Sequence, residues 1–420
     1  MLIGLLLRES PLATWLRRIA FWLALILPAI FMLLAAIYLA RSSTVFFDFS
    51  VNYDAAQALY AHGANPYSVQ AAYSFPFPTF YLYWLASGFC SLSKPTAWIV
   101  WWIANAAIWA GCALLLWRTL PRVTSARGRD MLRYGCVAIP AVATLWQGQT
   151  ALLILAGLVA VHLALLPKHS RIMWTVGGVG LAWATLIKPQ MALVGLGIAL
   201  WLLLAIRARR RDELPRIVWM LAAAVLTALL LIGATLILPG GVTLDTYQRF
   251  VTDALPKVAR PGDAIEVIGS PAFVFAVIAT RLGAPDTLAD ILSTVVTVVV
   301  LALAAFWTVR RANRPLTEIA AGWGVWAMVA PRVTWTWYAA WCLPYFLLAV
   351  HETVKNLTLS PSPRTERDFS VTRSSPARLV LFVIVLALLN LQLASIPVEA
   401  ITILLLIALT WTSFRENVNV

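Results

Sequence analysis

Long apolar stretches separated by short clusters of arginine and lysine dominate the pattern of this chain. Spanning about 30 Å of hydrocarbon takes roughly 20 helical residues, and cytoplasmic loops carry an excess of Lys and Arg. We therefore assign the basic clusters to the cytoplasm. They lie at 8–18, 118–133, 168–171, 207–216, 310–314 and 351–378. The pattern predicts an all-α, polytopic integral membrane protein with about twelve transmembrane helices and with interfacial helices in its outer loops.

Short polar tips join the apolar arms at the opposite, outer side, at 148–150, 188–190 and 331–338. Several arms are short; the arm at 134–147 reaches only about 21 Å at 1.5 Å per residue. Non-helical backbone at that depth is tolerated only where it lines protein or a watery cavity. We therefore expect these tips to line an outward-facing recess.

Between the first outer loop and the basic cluster at 118–133, the chain contains two apolar segments, although this topology allows one crossing there. Segments 75–92 and 96–117 both lie between an outer loop and the basic cluster at 118–133, where only one crossing fits. We interpret 75–92 as re-entrant; the alternative places the cluster at 118–133 outside.

The chain is predicted to form one membrane domain over 1–420. Its outer loops are 41–75, the candidate catalytic loop, and 239–287, in which the stretch 270–282 is short enough for an interfacial helix. The polar loop 351–378 is predicted to be flexible and cytoplasmic.

Composition excludes a soluble globular protein. Hydrophobic residues make up 61% and charged residues 12% of the 420 positions, against about 45–50% and about 25% in soluble domains. The net charge of +14 comes from basic clusters between apolar runs. We interpret these clusters as signals for membrane topology and as partners of lipid headgroups, and we expect no nucleic-acid partner. The four cysteines lie in apolar stretches without paired spacing, which indicates packing.

The first outer loop predicts a short amphipathic helix that begins after an N-cap at Ser50 and stops at Gly63. Its apolar face comprises Val51, Ala55, Ala58 and Leu59. Asp48 then sits just before the helix, where the partial positive charge favours an ionised carboxylate. It is either a general base for an acceptor hydroxyl or a simple helix cap.

Asp54 is the other acidic candidate of this loop, about 240° round the helix from Asp48. It is an alternative base or a residue that binds sugar. Tyr53, Asn65 and Tyr67 of the same loop are further candidates for substrate binding.

Two cations occupy outer tips next to a proline, Lys188 and Arg332. Ionisable residues at membrane depth are costly and usually functional, and a phosphate is the natural partner of two such cations. Snorkelling to the interface is the alternative. Trp335 and Tyr338 follow Arg332; they belong to an interfacial aromatic belt or stack on the substrate. The GGVG stretch at 177–180 lies within a span rather than between strand and helix, and the scattered histidines predict no metal site.

The order of these pieces resembles glycosyltransferase family 87, integral membrane enzymes of the GT-C type. The resemblance rests on DFSVNYDAAQALYAHGANPY (48–67), WQGQTALL (146–153), LIKPQ (186–190), SPAFVFAVIATRL (270–282) and APRVTWTWYAAWCLPY (330–345). It implies a sugar donor carried on a polyprenyl phosphate, a lipid or glycan acceptor, transfer with inversion at the outer face of the cytoplasmic membrane, and no required cofactor or metal.

The resemblance also assigns residues. Asp48 matches the acidic position of the first outer loop and becomes the candidate base. Lys188 matches the Lys-Pro position, Gln149 the Gly-Gln position, and Arg281 an arginine that closes the outer helix. Pro331 and Trp335 match the late Pro and Trp positions. Where family members often carry His after that Trp, this chain has Thr336, Trp337 and Tyr338, and Arg332 is the substitute for its phosphate contact.

Two other functions remain open at this stage. A lipid-linked sugar transporter or flippase would place its ionisable groups near the midplane, often in related halves; here these groups gather toward one side. A membrane acyltransferase would need a base beside the acyl acceptor, and His62 is the single histidine of the predicted outer segments.

Overall fold

The structure is a computed structural model of the chain. It describes residues 47–69, 77–119, 148–166, 170–208, 211–239, 242–255 and 270–331, with three single positions at 11, 15 and 19. The arm at 134–147 and the loop 351–378 lie outside the described residues. The apolar pattern also predicts spans at 19–40, 379–395 and 398–414, and these lie outside the described residues except for position 19.

The described residues are mainly helical. The helices are α1 (Phe47–His62), α2 (Pro66–Val69), α3 (Thr79–Phe89), α4 (Lys94–Thr119), α5 (Ala151–Leu165), α6 (Arg171–Ile187), α7 (Ala192–Arg207), α8 (Leu214–Ile237), α9 (Leu244–Arg249), α10 (Pro271–Arg281), α11 (Asp286–Arg310) and α12 (Leu316–Val329). The prediction of an all-α fold is confirmed for this part of the chain.

Four of the described helices are long and apolar enough to cross a bilayer. They cover Lys94–Leu116, Pro189–Arg207, Leu214–Ile237 and Asp286–Arg310, with 19 to 25 residues each. About 20 apolar helical residues span the hydrocarbon of a bilayer. The surfaces of these helices remain largely exposed, as expected for helices that face lipid. The chain therefore has the character of a membrane protein.

The hairpin of α5 and α6 is shorter than a full span. Its arms have 15 and 17 residues, which reach about 23 and 26 Å at 1.5 Å per residue. A Cβ added to Gly157 would lie 2.4 Å from the carbonyl oxygen of Gly180, and one added to Gly180 would lie 2.6 Å from that of Gly157. Small residues let the two backbones approach this closely.

The GGVG stretch lies in the middle of α6 and serves helix packing. A Cβ on Gly178 would lie 2.5 Å from the carbonyl oxygen of Met220 in α8, and one on Gly177 would lie 2.4 Å from Ala164 in α5. The stretch is helical throughout, so it has none of the strand-to-helix geometry of a nucleotide-binding loop.

The segment interpreted as re-entrant contains α3, which has 11 residues and a length of about 17 Å. The chain turns at Cys90–Ser93 and continues directly into α4, which has 26 residues. A helix as short as α3 cannot cross the hydrocarbon alone, and most of its residues are buried against protein. Its length favours the re-entrant interpretation.

The predicted start of the outer helix is wrong. Helix α1 begins at Phe47, so Ser50 lies inside it and is not its N-cap, and Asp48 belongs to the first turn. The helix extends further because Phe49, which is fully buried, packs against Trp98 and Trp101 of α4. Gly63 follows the helix with a φ of 56°, which confirms it as the stop.

The predicted apolar face of α1 is half right. Ala55 and Leu59 are buried, whereas Val51 and Ala58 are only partly buried. The rest of the buried face is Phe49, Asn52, Tyr53 and Ala56. Helix α1 thus packs on α3 and α4 rather than presenting a purely apolar stripe to the bilayer.

Candidate functional site

The start of α1 lies directly on the turn that precedes α5. In this turn Gly148 has a φ of 70°, and a Cβ placed there would lie 2.7 Å from the Cβ of Phe49 and 2.6 Å from the indole of Trp98. Gln149 and Thr150 beside it are buried. The predicted tip at 148–150 is therefore covered by the residue that follows Asp48.

The tip that carries Lys188 lies on Phe77. Lys188 adopts an extended conformation, with φ −139° and ψ 103°, between the end of α6 and a 3₁₀ turn at Pro189–Met191. Its ammonium nitrogen lies 4.4 Å from the centroid of the Phe77 ring, within the range of a cation–π contact. Phe77 is buried and lies just before α3.

A series of aromatic rings connects the Lys188 tip with the start of α1. The centroid distances are 5.0 Å from Phe77 to Tyr81, 6.3 Å from Tyr81 to Trp101 and 5.8 Å from Trp101 to Phe49. These separations are typical of contacting aromatic pairs. Phe49 is adjacent in sequence to Asp48, so the ring series joins the two elements that carry the predicted base and the predicted phosphate ligand.

The end of α12 meets the same tip. The side-chain amide of Gln190 donates a hydrogen bond to the carbonyl oxygen of Ala327, at 3.2 Å. Helix α12 ends at Val329, so Arg332 follows three residues after a helix end that contacts the Lys188 tip. Arg332, Trp335 and Tyr338 themselves lie outside the described residues.

The predicted outer loop 239–287 also contacts α3. The Tyr83 hydroxyl of α3 donates to the carbonyl oxygen of Pro239 after α8, at 3.1 Å. The Thr79 hydroxyl donates to the carbonyl oxygen of Thr246 in α9, at 3.4 Å. Arg171, at the start of α6, lies over the ring of Trp219 near the start of α8, 5.6 Å from its centroid.

Three residues predicted to bind substrate hold this loop in place. The Tyr53 hydroxyl donates to the carbonyl oxygen of Leu92 at 2.7 Å, and the side-chain oxygen of Asn65 accepts from the backbone N–H of Tyr67 at 3.0 Å. The Tyr67 hydroxyl pairs with that of Thr79 at 2.7 Å. Burial raises the pKa of both the Tyr53 and the Tyr67 phenol, so each stays neutral near pH 7.

The remaining predicted residues occupy contrasting positions. Asp54 is exposed and forms an ion pair with Lys94, whose ammonium lies 2.7 and 2.8 Å from the two carboxylate oxygens. Arg281 is exposed in the last turn of α10. Gln149 is buried in the turn beneath α1. The backbone of Asp48 lies in α1, whereas its side chain is outside the described part of the structure.

Sequence reasoning missed the aromatic residues that connect the tips, above all Phe77 and Trp101. One signal was present: Phe77 follows one proline and precedes another, in the stretch FPFP at 75–78. Prolines on both sides restrict the backbone, which suits a residue whose ring must hold one position.

A separate small pocket lies among α5, α7 and α12. Its lining is mainly apolar and includes His162 and Thr317. Among the residues that the structure describes, no group of three or more His, Cys, Asp or Glu side chains could hold a metal ion.

No known family model, no curated protein and no solved structure matches this chain.

Proposed function

We propose that this protein is a membrane glycosyltransferase similar to glycosyltransferase family 87. It transfers a sugar, mannose or another hexose or pentose, from a polyprenyl-phosphate donor to a lipid-linked or glycan acceptor at the outer face of the cytoplasmic membrane. One observation carries the proposal: the ring contacts that connect Lys188, through Phe77, to Phe49, the neighbour of Asp48.

In this mechanism the acceptor hydroxyl oxygen attacks the anomeric carbon of the donor sugar. A new carbon–oxygen bond forms as the bond to the phosphate oxygen breaks, and the polyprenyl phosphate leaves with the electron pair. Asp48 accepts the proton of the attacking hydroxyl. Lys188 and Arg332 stabilise the charge that develops on the leaving phosphate, where fixed cations lower the barrier most.

Replacement of the proposed base is the direct test. Asp48→Asn removes the proton acceptor but keeps the size of the side chain, so transfer should fall by about 10²- to 10⁴-fold. Binding of polyprenyl phosphate should be largely unchanged. Asp245→Asn is the matched control, because Asp245 forms an exposed ion pair with Arg249 in α9 and has no proposed role; its transfer rate should stay within about twofold, since such pairs contribute little.

The assay presents purified protein in liposomes with a panel of polyprenyl-phosphate sugars, and mass spectrometry identifies the products. Turnover by Asp48→Asn close to that of the unmodified protein would refute the role of Asp48. Movement of the donor across the bilayer without product would instead identify a flippase.

A further inference from the structure

The contact between Lys188 and Phe77 involves two restrained partners. Pro189, with its fixed φ, follows Lys188 and opens the 3₁₀ turn. The Phe77 ring is 7% exposed and packs on Tyr81, which is fully buried. The ring therefore has little freedom to move away from the ammonium group 4.4 Å above it.

An aromatic face suits a lysine that has to bind an anion. The negative face of the ring attracts the ammonium group, and a desolvated contact of this kind is stronger than an exposed one. The ring accepts no proton and carries no net charge, so it holds the ammonium group without neutralising it. Lysine has a long flexible stem, and holding it before the ligand arrives lowers the entropic cost of binding.

We propose that Phe77 is a positioning residue for Lys188: its ring holds the ammonium group in the orientation that binds the donor phosphate. This inference rests on the proposed function, in which Lys188 binds that phosphate. Phe77 acts through Lys188 and is not itself a catalytic residue.

The test measures binding of polyprenyl phosphate in detergent micelles to purified variants. Phe77→Leu keeps an apolar side chain but removes the ring face, so its dissociation constant should rise by about 3- to 30-fold, the range of a partly to fully desolvated cation–π contact. Phe77→Tyr retains the ring and should restore binding. Phe80→Leu is the matched control, because Phe80 is a buried ring of α3 that meets Trp183 edge-on; its binding should match the unmodified protein.

A double-mutant cycle separates positioning from a structural role. If Phe77 acts through Lys188, Phe77→Leu should have no further effect on binding in a Lys188→Ala background. Equal effects of Phe77→Leu with and without Lys188, or binding by Phe77→Leu equal to that of the unmodified protein, would overturn the proposal.

Failure of the proposed function gives a different result. If the unmodified protein does not bind polyprenyl phosphate, the phosphate role of Lys188 falls, and the positioning proposal falls with it. The same double-mutant cycle, measured on the free energy of unfolding, then shows whether the ring still contacts the lysine. Coupling in the free energy of unfolding without phosphate binding would mark a purely structural contact.

Discussion

Gly148 connects the turn before α5 to the start of α1, and replacing it with alanine tests this junction. Two separate costs arise at this position. The backbone has a φ of 70°, and a left-handed conformation costs a non-glycine residue about 1–2 kcal/mol. The new Cβ would also lie 2.6 Å from Trp98 and 2.7 Å from Phe49, and overpacking of a filled site costs about 1–3 kcal/mol. The expected loss is therefore about 2–5 kcal/mol in the free energy of unfolding.

Gly63 provides a matched control for the conformational cost. It has a similar φ of 56°, but a Cβ placed there would meet nothing within 4 Å. Gly63→Ala should therefore lose about 1–2 kcal/mol. Both substitutions restrict the unfolded chain equally, so this effect cancels in the comparison. The excess loss in Gly148→Ala then measures the contact with Phe49 and Trp98 alone.

The assay is equilibrium unfolding of the purified variants in mixed micelles, followed by tryptophan fluorescence. Equal losses in Gly148→Ala and Gly63→Ala would refute the close packing of the turn against α1. A larger loss in Gly148→Ala, together with reduced transfer activity, would support a junction that positions the first turn of α1, where Asp48 lies.

The other two predictions concern helix packing and a buried thiol. Gly180→Ala should lose about 1–3 kcal/mol of unfolding free energy, because its Cβ would meet Gly157 of α5. Gly233 has open space around it, so Gly233→Ala should be neutral or stabilising by up to about 1 kcal/mol. Equal effects in the two variants would contradict the close packing of α5 and α6. Burial raises the pKa of Cys90 from 9.0 to about 12, and each pKa unit lowers the thiolate fraction about tenfold. In a variant with Cys90 as its single cysteine, the folded protein should therefore react with maleimide at pH 8 about a thousandfold more slowly than the unfolded protein. The neutral thiol contributes fully to the free energy of unfolding below pH 9, and this contribution declines as the pH rises from 9 towards 12. Fast labelling of the folded protein at pH 8 in mild detergent would contradict the burial of Cys90.

The long apolar helix α4 could be predicted from sequence to within two residues. The predicted segment 96–117 appears as Lys94–Thr119, with two further residues at each end. Hydropathy is sufficient here because a spanning helix satisfies its backbone internally and faces lipid. The start of α1 could not be predicted this way, because Ser50 is a good local cap and the burial of Phe49 against α4 overrides it.

The candidate site could be predicted from sequence only in part. A proline beside a lysine marked the Lys188 tip, and the Gly-Gln pair marked the turn at 148–150. Their connection through Phe77, Tyr81 and Trp101 depends on how α3 packs between α1, α4 and α6. Aromatic residues are frequent throughout this chain, so their type and spacing do not identify the ones that meet.

The lengths of α5 and α6 explain why α1 and α3 lie where they do. Arms of about 23 and 26 Å fall short of a hydrocarbon layer of about 30 Å. The turns at their ends carry non-helical backbone, which lipid cannot solvate. Phe49 of α1 covers the turn at Gly148, and Phe77 before α3 lies beneath Lys188. Short arms thus require protein cover at their ends, and Phe49 and Phe77 provide it at the Gly148 turn and at the Lys188 tip.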